Sequence, residues 1–254
     1  MSTSSSHSRT LARAQITRIL PGWRAQQTAP TAQISSDDFF FSELFLNLPS
    51  KTQDFYNGLL PMINRTFTTS ETSFKNAFII FDLLNVASIH NSTDDFPAAY
   101  LLTPEILFQL RTLADTHEFN LAYNKSEPIR AVTGSIIAAQ VVSALNGTIT
   151  SKGESKLNIQ FSAYGGMQSF FGLADLISVD ENFYGVPDYA STLTWELVTN
   201  ATMSSGSWPS EDEISVRFLF HNGTTSNISQ PAEYPPLWYK PEPFAVERVR
   251  YSYE

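Results

Sequence analysis

The sequence predicts a single α/β domain, and three observations carry that expectation. Apolar residues recur at helical spacing in four stretches of the first 145 residues. A strand-like alternation at 157–163 is followed by a turn and a further helical stretch to 176, and two more alternating runs lie at 191–197 and 214–220. A chain of 254 residues, 42% hydrophobic and 16% charged, is long and apolar enough to bury a real core, and no internal repeat divides it.

The elements follow in order. Residues 8–20 place Leu11, Ala14, Ile16 and Ile19 or Leu20 near helical spacing, and Pro21-Gly22 ends the pattern, which predicts a short amphipathic helix. Between Gln26 and Pro49 the apolar runs at 39–41 and 44–48 share no period, so an irregular region is expected. Phe74, Ala77, Phe78, Phe81 and Leu84 make one broad stripe over 73–90, a long packed helix. Thr103-Pro104-Glu105 combines a hydroxyl N-cap, a proline at the first helical position and an acid facing the helix dipole. Ile106, Leu107, Leu110, Leu113 and Ala114 then mark one buried face. Residues 131–145 are apolar nearly all round, which predicts a helix buried between layers. Leu157, Ile159, Phe161 and Ala163 alternate with polar residues as a strand, Tyr164-Gly165-Gly166 breaks it, and helical spacing resumes at 167–176.

Composition excludes several functions. Sixteen Lys and Arg against 25 Asp and Glu give a net charge of -9, which disfavours nucleic acid and anionic membrane as partners. The absence of cysteine removes thiolate metal sites, cysteine nucleophiles and disulfides. The four histidines, His7, His90, His117 and His221, show no metal-ligand spacing, so neither metal nor other cofactor is expected. No G-x-S-x-G occurs, which argues against an α/β-hydrolase nucleophile elbow. No run reaches the roughly eighteen apolar residues of a bilayer span, so no transmembrane segment is expected.

Seven of the fourteen asparagines, Asn64, Asn91, Asn124, Asn146, Asn200, Asn222 and Asn227, stand two residues before Ser or Thr. Chance gives about three such sites in a chain of this Ser and Thr content, so N-glycans are expected partners and turn positions such as Asn146-Gly147 and Asn222-Gly223 suit them. Residues 1–20 hold no apolar run of secretory-signal type. A lysosomal or extracellular location is therefore expected if a natural signal peptide precedes this sequence, and a cytoplasmic one if Met1 is the true start.

Five stretches share their order and spacing with one family. KLNIQFSAYGGMQSFFGLADL (156–176) resembles the strand, Ser-Gly/Ala-His-Asp and helix of histidine acid phosphatases. SRTLARAQITRILP (8–21) is similar to that family's Asp-Arg-Thr-Leu-x-Ser-Ala helix, and IIFDLLNVASIHN (79–91) to its helix beginning Tyr-Asp. YASTLTWEL (189–197) and VRFLFHNGT (216–224) are similar to its Tyr-Ala-Ser-x-x-x-x-Glu-Leu strand and its Val-Arg-x-x-Tyr-Asn-Gly strand and turn. The resemblance implies a three-layer α/β/α fold with a central mixed sheet and a helical insertion, here at about 26–125, with a C-terminal strap at about 230–254. It implies an ancestry in phosphomonoester hydrolysis, in which a histidine of Arg-His-Gly-x-Arg-x-Pro attacks phosphorus, arginines hold the phosphoryl oxygens and the aspartate of His-Asp protonates the leaving group.

The sequence departs from that pattern at each catalytic position. No Arg-His-Gly occurs, and the family's first catalytic strand is not represented, which leaves the expectation of an unpaired sheet edge and an aggregating chain. The family's phosphate-binding arginine falls at Thr3, and its His-Asp pair at Tyr164-Gly165. A phenol carries no positive charge and glycine has no proton to give, so an inactive or much impaired phosphatase-like protein is expected, with no catalytic residue retained. The alternatives are a non-catalytic lumenal or secreted binding module and an active acid phosphatase represented by part of its chain, with a phosphomonoester or other small anion as the ligand.

Other polar residues have plainer readings. Tyr164 either fills a closed pocket or binds a ligand. His90 and His117 are expected as cations near helix C-termini. The acidic groups Asp37-Asp38, Asp94-Asp95 and Glu211-Asp212-Glu213 are expected on the solvated surface rather than as a glycosidase pair.

Overall fold

The computed structural model describes residues 15–18 and 30–223, leaving aside 91, 203, 205 and 206. Thr3, the greater part of the 8–20 segment and the strap at 230–254 lie outside the described residues. Strand β1 (Gln15–Arg18) is followed by helices α1 (Pro30–Asp37), α2 (Glu43–Ile63), α3 (Ala77–Ile89), α4 (Pro104–Ala122) and α5 (Val132–Thr150). Strand β2 (Asn158–Phe161), helix α6 (Tyr164–Leu173) and strands β3 (Thr192–Thr199) and β4 (Ile214–His221) complete the order.

The molecule is thus a mixed, helix-rich α/β fold. Its described strands form two separate two-stranded ladders, parallel β1–β2 and antiparallel β3–β4. The sequence expectation of a helix over 8–20 is corrected at 15–18. Ile16 and Thr17 are β-branched, and the parallel register Ile16↔Ile159 and Thr17↔Gln160 gives the segment a pairing partner that local periodicity does not reveal. β2 therefore has a neighbour.

The irregular region expected at 26–49 is helical from Pro30. A 3-10 turn over Asp38–Phe41 ends α1, and Ser42 restarts the chain as N-cap of α2, its hydroxyl accepting from the Phe45 N–H at 3.2 Å. The apolar runs at 39–41 and 44–48 straddle this break, which hides their separate periods. In α2 the buried Phe45, Tyr56, Leu59 and Ile63 fall on one helical face, and the helix carries Pro49 and Pro61 within its length.

That face packs with α3 and α4 in the main core, where Tyr56, Phe74, Ile80, Leu84 and Leu110 are fully buried. Each of Phe74, Ile80, Leu84 and Leu110 stabilises the fold by about 1.5–3 kcal/mol through removal of apolar surface from water. α4 begins as its sequence requires, with the Thr103 hydroxyl accepting from the Ile106 N–H and Pro104 in the first turn. Buried Arg130 ties α4 to α1, donating from Nη1 to the Asn120 carbonyl at 2.7 Å and from Nε to Ser35 Oγ at 3.3 Å.

Helix α5 corrects a second expectation. It runs to Thr150 and is buried only at Thr133, Gly134, Ile137 and Ile149, so one face is covered and the rest is partly open. The two-stranded ladders cannot sandwich it as a broad sheet would. Residues Pro128–Thr150 form the one helical segment among the described residues long and apolar enough to cross a membrane, which by itself defines no span. Asn146-Gly147 lies inside this helix, not in the expected turn.

α5 packs on α6 at very close range. A Cβ on Gly134 would stand 2.5 Å from the Ser169 carbonyl carbon, and the Gly134 N–H donates to Ser169 Oγ at 2.9 Å. On the far side of α6, Phe171 meets Phe183 and Phe220 with ring centroids 5.0 and 5.4 Å apart, which seats the β3–β4 hairpin on the helix. Within that hairpin Glu196 opposes Arg217, whose Nε donates to the carboxylate at 2.7 Å.

Candidate functional site

The position that the resemblance assigns to His-Asp opens α6. Ala163 is extended at φ -81° and ψ 159°, and the helix starts at Tyr164 itself rather than at residue 167. Tyr164 therefore stands at the carboxyl end of β2, beside a cavity of about 400 Å³. Three elements build that cavity. α3 contributes Phe78, Asp82 and Asn85, spaced i, i+4 and i+7 on one face. α6 contributes Tyr164 and Met167, and residues 186–191 form the rim.

Tyr164 is committed to the protein. Its hydroxyl donates to Glu118 Oε2 at 2.8 Å, and its ring lies 4.5 Å from that of Phe78. Burial first, then the Glu118 charge and hydrogen bond, push the phenol far above its ordinary pKa, so it remains a donor. Glu118 Oε1 in turn meets His117 Nδ1 at 2.8 Å. His117 is buried within α4, not placed at the helix terminus expected from sequence, and its ring lies 5.5–6.1 Å from those of Phe39, Phe40, Phe45 and Phe74. His90 does cap α3, exposed, with its N–H donating to the Val86 carbonyl.

Gly165 offers no functional group and stands in open space, with nothing within 4 Å of where a Cβ would lie. Asp82 accepts from the Tyr189 hydroxyl at 2.6 Å, and burial together with this carboxylate raises the Tyr189 phenol to about 12.

The rim is pinned from α4, whose Arg111, Asp115 and Glu118 again share one face at i, i+4 and i+7. Arg111 donates to Asp188 Oδ1 at 2.7 Å and to the Val186 carbonyl at 3.1 Å. Asp115 Oδ1 accepts from the Val186 N–H at 2.7 Å. Burial pushes the Asp115 carboxyl up to about 6, outweighing both the Val186 N–H and the Arg111 charge. Asn222 Oδ1 accepts from the Asp188 N–H and the Ser191 hydroxyl, each at 3.0 Å. Asp188 Oδ2 is buried without a hydrogen-bond partner among the described residues.

The cavity's electrostatics run against phosphate. Asp82 and Asp188 line it, and no Lys, Arg or His does so among the described residues. The described residues contain no group of three or more His, Asp or Glu arranged to hold a metal ion. The acidic groups Asp94-Asp95 and Glu211-Asp212-Glu213 are exposed, as is Asp38, with Asp37 half-buried, so these carboxylates stand apart from the cavity. Of the sequon asparagines, Asn64, Asn146 and Asn200 are exposed and Asn124 and Asn222 half-buried, while Asn91 and Asn227 lie outside the described residues.

Sequence reasoning identified Tyr164 and Gly165 but missed Asp82, Arg111, Asp115, Glu118 and Asp188. For Arg111, Asp115 and Glu118 the signal was their i, i+4, i+7 spacing on one face of α4, whereas Asp82 and Asp188 carried none. No protein-family model, curated protein or solved structure matches the chain.

Proposed function

We propose that this chain is a histidine acid phosphatase-like protein without phosphomonoesterase activity, whose cavity serves binding rather than catalysis. The observation that carries the reading is the state of the His-Asp position. Tyr164 spends its hydroxyl on Glu118, Gly165 supplies nothing, and the lining charges are carboxylates that repel a phosphoryl group. Without a nucleophile, a cationic clamp or an acid, a phosphomonoester gains no transition-state stabilisation over water. The exposed sequons Asn64, Asn146 and Asn200 support a lumenal or secreted glycoprotein.

The test is hydrolysis of p-nitrophenyl phosphate across acid and neutral pH by the full chain purified from a secreting host. No turnover above the uncatalysed rate is expected, for the native sequence and for Gly165→Asp alike. Turnover that tracks the purified protein and survives Tyr164→Phe would overturn the reading. A mobility shift on removal of N-glycans checks the secretory assignment.

A further inference from the structure

We propose that the cavity between α3, α6 and residues 186–191 binds a small organic cation, a protonated primary amine carrying an apolar body. This deepens the non-catalytic reading and rests on it. The walls combine two features that suit such a ligand. Phe78, Phe81, Tyr164 and Tyr189 supply aromatic surface, and Asp82 and Asp188 supply negative charge. Aromatic rings attract an organic cation through their quadrupoles, most strongly where the site is partly desolvated.

Among the described residues the acids outnumber the cations beside the cavity, so Arg111 offsets only part of the negative charge. Glu118 lies directly behind Tyr164, bonded to its hydroxyl. The cation nearest the rim, Arg111, is shared between Asp188 at 2.7 Å and Asp115 at 4.0 Å. Asp82 is met by the uncharged Tyr189 hydroxyl.

A second observation adds to the negative charge of the site. The Asp188 side chain is 11% exposed, and its Oδ2 has no hydrogen-bond partner among the described residues. An unpaired carboxylate oxygen adds negative potential at the rim, which an ammonium in the cavity offsets without having to reach the buried atom. The volume of about 400 Å³ matches a small-molecule pocket rather than a peptide groove. A bare metal ion fits less well, because the walls are largely aromatic and hard cations want several oxygen ligands.

Calorimetric titration of the full chain with phenethylamine, its neutral analogue phenethyl alcohol, and phenyl phosphate tests this. The amine is expected to bind at least about tenfold more tightly than the alcohol, and to weaken with added salt. Asp82→Asn is expected to remove that advantage while leaving the alcohol unchanged. Equal binding of amine and alcohol, no saturation by the amine, or binding of phenyl phosphate as tight as that of the amine would each overturn the proposal. If Asp82→Asn fails to fold, the amine-to-alcohol ratio on the native chain still decides. Hydrolysis of phenyl phosphate would overturn the non-catalytic reading as well. An inert protein that also ignores the amine overturns only the cation site.

Discussion

The Tyr164 hydroxyl donates to Glu118 Oε2 across 2.8 Å, joining the head of α6 to the C-terminal part of α4 through two groups 46 residues apart in the chain. The bond is charge-assisted and largely buried, since the Glu118 side chain is 14% exposed. Tyr164→Phe keeps the ring against Phe78 but leaves a carboxylate oxygen short of a donor. A loss of about 1–3 kcal/mol in chemical denaturation is expected, with the fold retained by circular dichroism. An unchanged midpoint would show that water replaces the phenol at no cost.

Asp115 makes stability depend on pH. Its carboxyl is raised in the folded state to about 6 from an ordinary 3.8, so the folded chain holds the proton more tightly than the unfolded one. The stabilising contribution of the protonated group is complete below the ordinary value and is lost as pH rises to about 6. At neutral pH the ionised group therefore costs the fold up to about 3 kcal/mol. Asp115→Asn keeps an oxygen acceptor for the Val186 N–H. It is expected to be more stable than the native chain at pH 7, with the gap closing toward pH 4. Unfolding curves at several pH values would show the two profiles converging on the acid side.

Gly134 tests the α5–α6 contact. Any side chain there meets the Ser169 and Phe170 backbone, which cannot rotate away as a flexible side chain would. Gly134→Ala is expected to lower stability by about 1–3 kcal/mol or more despite the better helix propensity of alanine. Gly147 sits on the same helix with nothing within 4 Å, so Gly147→Ala serves as the matched control and is expected to stabilise slightly. Equal effects at both positions would contradict the close packing.

Asn222 holds the rim from the hairpin side. Asn222→Ala leaves the Asp188 N–H and Ser191 hydroxyl without their acceptor, and Gly223 beside it keeps φ at +61°, where alanine would be strained. A loss of about 1–3 kcal/mol is expected. Hydrogen exchange should rise at Asp188 before it rises in α4.

Much of this architecture was readable from local pattern. The stripe of Ala77, Phe81 and Leu84, with Phe74 in the 3-10 turn that leads into it, and the Thr103-Pro104 cap each specify their helix through contacts within a few residues. The alternations at 191–197 and 214–220 likewise become the β3–β4 pair. What escaped was set by distant partners. Gln15–Arg18 is a strand because β2 lies beside it, and the openness of α5 depends on which sheet is available to cover it. The site divides in the same way. Tyr164 and Gly165 stood out by resemblance, whereas Asp82, Asp188 and Glu118 each look like ordinary surface acids until three separate segments bring them together.

The pinned rim and the glycine contact behind α6 together bear on how the cavity meets a ligand. Val186 is held at both its N–H and its carbonyl, Asp188 at its N–H and one carboxylate oxygen, and Tyr164 rides on a helix that has no side chain between it and α5 at Gly134. The walls are ordered before anything enters, so a guest pays for its own lost freedom and little for the host's. Recognition of the proposed cation would then be lock-like, discriminating by shape and charge at first contact and giving the rest of the molecule little news that the site is filled.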